Sequence, residues 1–294
     1  MGLLTWHSRP ALRRPVLVAA FEGWNDAGNA ASGTVAYLSR RWHAETFAAF
    51  DSEDLFDFTS ARPQVRLESG QTRRLEWPRL ELAHAALPGL EQDVVLLSGP
   101  EPQLRWRSFA EELRGAVTDL AVSTAVLVGA LLADVPHTRP VRISGGAATP
   151  ELASLAQVEP SYYEGPTGIV GVVADTLAQA GVPTVSLWAS VPHYVSQSSS
   201  PKATLALVER TVHILGSTVD LVELQIATAA YERQVDDLVA SDEEASAYVT
   251  RLEEQDEDAE RDRAQSDESP KLGPASGERL AAEVERYLRE HRRE

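Results

Sequence analysis

The stretch PVLVAAFEG, Pro15–Gly23, runs directly into WNDAGNAASGTVAYLSRRW, Trp24–Trp42, and the passage from one to the other decides the fold. The first part is a short apolar, β-branched run bounded by Pro and Gly, the pattern of a buried strand. The second reads as a helix. Asn25 and Asp26 stand where a side chain can accept hydrogen bonds from the free N–H groups of its first turn. A strand that gives way at once to a helix is the building unit of an α/β sheet.

The alternation continues along the chain. AETFAAFD (44–51), DVVLLSGPEP (93–102), TAVLVGALLADVPHTRP (124–140), the short VRISGG (141–146) and PTVSLWASVPHYV (183–195) read as strands. RSFAEELRGAVTDLAV (107–122), GIVGVVADTLAQAG (168–181) and PKATLALVERTVHILG (201–216) read as helices, with Gly181 placed as a C-terminal stop. VRLESGQTRRLEW (65–77) alternates around Ser69-Gly70 and predicts a hairpin, which argues against a purely parallel sheet. The expected fold is a three-layer α/β/α sandwich with a mixed, mostly parallel sheet over residues 1–217.

After Gly216 the pattern changes, and residues 218–294 read as a helical C-terminal region. Leu221, Leu224, Thr228, Tyr231, Val235, Leu238, Asp242, Ala245, Val249 and Leu252 keep an unbroken 3-4 spacing, which predicts one stripe along one helix. The stripe packs either on the body of the protein or on another subunit. An acidic, mobile linker is expected around 253–275. A last helix follows in SGERLAAEVERYLREHRRE, with Leu280, Val284, Tyr287 and Leu288 on one face.

Charge and composition exclude several functions. The 294 residues carry a formal charge of −17, and residues 241–270 alone hold 12 Asp or Glu against 3 Arg. No basic face is evident to neutralise phosphates, so nucleic acid is not an expected partner. Cysteine is absent, which excludes disulfides and thiolate metal sites. The start, MGLLTWHSRPALRRP, lacks the apolar core of a signal peptide, and no run approaches the ~20 apolar residues of a membrane span. A cytoplasmic location without membrane contact is expected.

No G-x-S-x-G elbow, phosphate loop, paired-His zinc motif or dinucleotide glycine pattern occurs. The candidate site residues come from strand ends. ADVPHT (133–138) and ASVPHY (189–194) form a near-repeat in which Pro ends each strand and His137 and His193 emerge beyond it. If both strands are parallel, these are the C-terminal ends, where α/β proteins keep their sites. Arg139, Glu101 in SGPEP, and Glu164 with Thr167 in YYEGPTGI belong on comparable loops, beside Asn25 and Asp26. Two histidines and several carboxylates suit a hydrolytic or metal site; the rival reading has them bonding loop backbones and locking turns. The spacing fits no particular metal or cofactor, and none is expected.

Taken in order, GWNDAG, SGPEP, DVPHTRP, YEGPTGIVGVV, WASVPHYV and PKATLAL resemble the proteasome assembly chaperone 2 family in its bacterial branch. The resemblance runs from about Pro15 to about Tyr248 and resumes at SGERLAAEVERYL. It implies a phosphorylase/hydrolase-like α/β/α fold without established catalysis, homo-oligomers (a trimer is taken as the working number), and a role in assembling or binding a proteasome-type complex. The alternatives are a hydrolase or phosphorylase-like enzyme and a small-molecule-binding module built on the strand-end loops. Relatives that dock on the proteasome ring end in a hydrophobic–Tyr–any-residue tail. This sequence closes on His291–Glu294, with Tyr287 its nearest candidate, so tail docking is not expected.

Overall fold

The computed structural model describes residues 2–68, 72–160 and 163–268. The strands are β1 (Leu4–Trp6), β2 (Val16–Glu22), β3 (Glu45–Phe50), β4 (Gln64–Glu68), β5 (Thr72–Glu76), β6 (Glu81–Ala86), β7 (Asp93–Pro100), β8 (Thr124–Ala133), β9 (Ile143–Ala147), β10 (Glu159–Pro160) and β11 (Thr184–Pro192). The α-helices are α1 (Ala30–Arg41), α2 (Ser52–Leu55), α3 (Trp106–Asp119), α4 (Pro150–Ala156), α5 (Ile169–Gln179), α6 (Pro201–Leu215), α7 (Val222–Ala240) and α8 (Glu243–Glu268).

Nine strands form one mixed sheet in the order β1-β3-β6-β7-β2-β8-β11-β9-β10. Its centre, β7-β2-β8-β11, is parallel, and the neighbours β6 and β9 run antiparallel to it. Strand period explains the two cores. In β2, Val16, Val18 and Ala20 face one side with α1, α4 and α6, while Leu17, Ala19 and Phe21 face the other with α2, α3 and α5. Strands apolar on both faces require helices on both faces, and the result is the expected three-layer α/β/α fold.

The hairpin forms with Val65 opposite Leu75, but as a separate two-stranded sheet standing off the main one. The sequence stripe after Gly216 is divided between two helices. Asp242 is the reason: its Oδ1 accepts from the backbone N–H of Glu244 (2.9 Å) and Ala245 (3.2 Å), so this stripe position starts α8 instead of continuing α7. Leu224, Tyr231, Val235, Val249 and Leu252 are buried on the protein's own body, whereas Leu238, next to the break, is 60% exposed. The segment expected as a linker around 253–275 is helical as far as Glu268. Ion pairs of Arg139 with Glu257 and of Arg142 with the buried Asp256 hold it to the loop after β8. The expected last helix lies outside the described residues.

Candidate functional site

Three of the sequence-predicted residues meet at the ends of the parallel strands. Past Glu22 the chain turns through Gly23, and Asp26 makes a parallel bridge to Ala130 of β8. A short 3₁₀ turn, Ala27–Asn29, then delivers the chain into α1. Asp26 reaches over that turn: its Oδ1 accepts from the N–H groups of Ala31 (2.7 Å) and Ser32 (3.1 Å) and satisfies the first turn of the helix. Gly28 has φ 60°, in the left-handed region, and a Cβ there would lie 2.9 Å from that of Ser200, whose N–H donates to the Gly28 carbonyl. Glycine is what lets α6 approach this loop.

Asn25 is 1% exposed. Its Nδ2 donates to Glu101 Oε1 at 2.9 Å, and the same oxygen accepts the N–H of Ile169, the first residue of α5, at 2.8 Å. Gly168 completes the join, because a Cβ there would fall 2.4 Å from the Asn25 amide. Glu101 is therefore a shared acceptor and helix cap. Burial pushes the Asp26 carboxyl above its ordinary value, opposed by the bonds from Ser32 and Ala31. Asp26 Oδ2 and Asn25 Oδ1 are buried and have no hydrogen-bond partner.

The histidines form a second group. β8 and β11 are parallel in register, so His137 and His193 do emerge at C-terminal strand ends. His137 is 3% exposed, with Nδ1 2.8 Å from the Tyr194 hydroxyl and Nε2 2.9 Å from Asp236 Oδ1 of α7. Its N–H donates to Tyr194 and its carbonyl accepts from Lys202, which pairs with Glu232 at 2.7 Å. Burial raises the Tyr194 phenol to about 12. His193 pairs with Asp134 at 3.0 Å, and Tyr248 of α8 donates to the same carboxylate at 3.1 Å. Arg139, with Thr138, binds α8 through Glu257 and Glu253.

The two groups share no hydrogen bond among the described residues, and Glu164 and Thr167 lie exposed on the approach to α5, in neither group. The histidines and Arg139 fasten α7 and α8; the Asn25–Asp26–Glu101 group fastens α1 and α5. A cleft of about 730 Å³ opens beside Glu101, lined also by Glu22, Trp24, Arg62, Trp77 and Arg79. Sequence reasoning missed Asp134, Tyr194, Asp236 and Tyr248. Tyr194 and Asp134 stand in the quoted ASVPHY and ADVPHT repeats, but Asp236 and Tyr248 come from far along the chain and carry no local signal. Among the described residues, no three His, Asp or Glu side chains are grouped to hold a metal ion, and no helix is long and apolar enough to cross a membrane.

A family model described as the PAC2 family matches residues 20–239, three quarters of the chain. The chain belongs to the PAC2 family. Among solved structures, a PAC2 family protein from Streptomyces avermitilis is 49% identical with a TM-score of 0.74, over 80% of this chain and 99% of that one. A proteasome-assembly chaperone homologue from Mycobacterium tuberculosis is 46% identical with a TM-score of 0.73, again over 80% and 99%. An archaeal proteasome activator from Pyrococcus furiosus, 16% identical with a TM-score of 0.63 over 80% and 97%, shares the fold. No curated protein matches. The match to the PAC2 family ends within α7, so α8 lies beyond it.

Proposed function

We propose that this PAC2 protein is a non-enzymatic, cytoplasmic assembly protein that associates with itself and serves a proteasome-type complex. One observation carries the non-enzymatic part: the ring of His137 and one oxygen of Glu101 are spent on internal bonds. Both ring nitrogens of His137 are engaged, and Glu101 Oε1 serves Asn25 and Ile169. A general base needs a lone pair turned toward a substrate, and these face their own chain. Residues 1–217 act as the α/β body and 218–294 as an extension whose α7 and α8 are fastened to it. The role for a proteasome-type complex is taken from the relative that is a proteasome-assembly chaperone homologue.

The test is co-migration on a sizing column with proteasome α-type subunits from the same source, during and after ring formation. The proposal expects the chain to travel with unassembled subunits or to speed the appearance of rings. Absence of both, together with a hydrolytic activity lost in Glu101→Gln or His137→Gln, overturns it. A small-molecule pocket is the second reading, favoured by the cleft beside Glu101, which is the one expected pocket residue that lines it. A ligand that raises the melting temperature of the wild type but not of a Trp24→Ala variant would establish that reading.

A further inference from the structure

Strand order opens a crevice in the sheet, and the side chains around it define what fits there. β2 and β7 are parallel neighbours, yet the chain leaves them in opposite directions. After β2 it passes to α1 on one face of the sheet; after β7 it passes to α3 on the other. Neighbouring parallel strands whose exits diverge leave a crevice at their carboxyl ends, where open α/β sheets bind ligands. The cleft of about 730 Å³ lies at that point: Glu22 ends β2, Gly23 and Trp24 follow it, and Glu101 follows β7. Its other wall comes from the β4–β5 hairpin and the residues flanking it, among them Arg62 and Trp77. The volume falls within the roughly 300–1,000 Å³ usual for small-molecule sites.

The charges left unpaired on the two walls differ in sign. On the hairpin wall Arg66 is taken by Glu76 at 3.1 Å and Arg79 by Glu81 at 3.5 Å. Arg62 makes no hydrogen bond or ion pair among the described residues. On the strand-end wall Glu101 spends Oε1 on Asn25 and Ile169, whereas Oε2 accepts no hydrogen bond among the described residues, and Glu22 is likewise unpaired. Gly23, with φ 109°, keeps the space beside Oε2 open, since a Cβ there would lie 3.8 Å from that oxygen. Each wall also presents an indole. Trp24 is 66% exposed, and Trp77, 43% exposed, is braced by Phe58 with ring centroids 4.8 Å apart.

We propose that this cleft binds a small zwitterion carrying a flat ring: its ammonium at Glu22 and Glu101, its carboxylate at Arg62, its ring on Trp24 and Trp77. Guanidinium meets carboxylate through two parallel N–H donors, and indoles pair with a flat ring by offset or edge contact. A simple anion would meet the two glutamates, and a simple cation would leave Arg62 unpaired. A ligand with both charges set apart satisfies both walls. The inference rests on the small-molecule reading above and names the ligand class for that cleft.

Titration calorimetry on the full chain with the dipeptide Gly-Phe tests it, because each part of that probe can be removed separately. N-acetyl-Gly-Phe lacks the ammonium, Gly-Phe amide lacks the carboxylate, and Gly-Ala lacks the ring. Gly-Phe should bind, and each of the other three should bind about ten-fold more weakly, as expected for the loss of one charge-assisted contact or one packed ring. Arg62→Ala should weaken Gly-Phe by a similar factor and leave the amide unaffected. Glu22→Gln should weaken Gly-Phe and leave the acetylated peptide unaffected. Both residues are exposed and unpaired, so both variants should keep the wild-type melting temperature. The peptide series needs no variant, so it decides the matter even where a variant misfolds. Failure of Gly-Phe to bind at millimolar concentration, or equal binding of its acetylated or amidated form, overturns the zwitterion but not the existence of a small-molecule site. Gly-Phe binding that Trp24→Ala leaves unchanged puts the ligand outside this cleft and overturns the small-molecule reading as well.

Discussion

Glu101 accepts the side-chain amide of Asn25 at 2.9 Å through the oxygen that also caps α5 at Ile169. One carboxylate thus joins the loop after β7, the loop after β2 and the start of a helix. In Glu101→Ala the buried Asn25 amide and the Ile169 N–H lose their acceptor together. We expect a loss of about 1–3 kcal/mol, the cost of stranding buried donors, read as a lower urea midpoint. Glu101→Gln keeps one acceptor oxygen and should lose less.

Asp26 caps α1 from the far side of a 3₁₀ turn, so Asp26→Ala should cost roughly 0.5–2 kcal/mol. Its pH dependence has a definite sign. Burial raises the carboxyl above its ordinary 3.8, so the folded chain holds a proton that the unfolded chain has released. The contribution of protonated Asp26 is fully present below 3.8 and is lost as pH rises through the folded value. Asp26→Asn keeps an acceptor oxygen for Ala31 and Ser32 and removes the titration. Melts from acid toward neutral pH should therefore show Asp26→Asn gaining on the wild type. A constant gap between the two would contradict the assignment.

Tyr194 serves the buried His137 twice, through the backbone N–H and the ring. Tyr194→Phe keeps the ring and deletes the acceptor, with an expected loss of about 1–3 kcal/mol. The phenol at about 12 also implies that wild-type stability falls as pH rises from the ordinary 10 toward 12, a fall that Tyr194→Phe should reduce. Chemical denaturation in that window checks both.

The fold was legible where hydrophobic period and local caps agree. β2, β7, β8, β11 and the helices α1, α3, α5 and α6 all announce themselves in runs of Val, Leu and Ala bounded by Gly or Pro. β6, in ELAHAA, did not: alanine and glutamate are poor strand formers, and pairing with β3 and β7 makes it a strand. The break between α7 and α8 was hidden because Asp242 sits at a stripe position and its capping role shows only in the structure. At the site, Asn25, Asp26 and Glu101 could be picked out one by one, but their meeting with Ile169 depends on strand order. The acidic run read as a linker because its charge outweighs its apolar content; distant arginines at 139 and 142 are what hold its first part.

That fastening gives a fourth prediction. Arg142→Ala leaves the Asp256 carboxylate, whose side chain is 6% exposed, without its cation. Removing one partner of a buried pair costs about 3–5 kcal/mol in general, and α8 can escape the cost by lifting off the loop. Proteolysis within 243–268 should therefore accelerate several-fold while the main melting transition of the α/β body moves little. Unchanged cleavage rates would show that α8 is held by other contacts.

Self-association is the claim on which the functional account turns, and the mass of the full chain in solution tests it most directly. Light scattering coupled to sizing, over a wide range of concentration around micromolar, should return a multiple of 32.0 kDa that persists on dilution. A single species of 32.0 kDa across that whole range would contradict it.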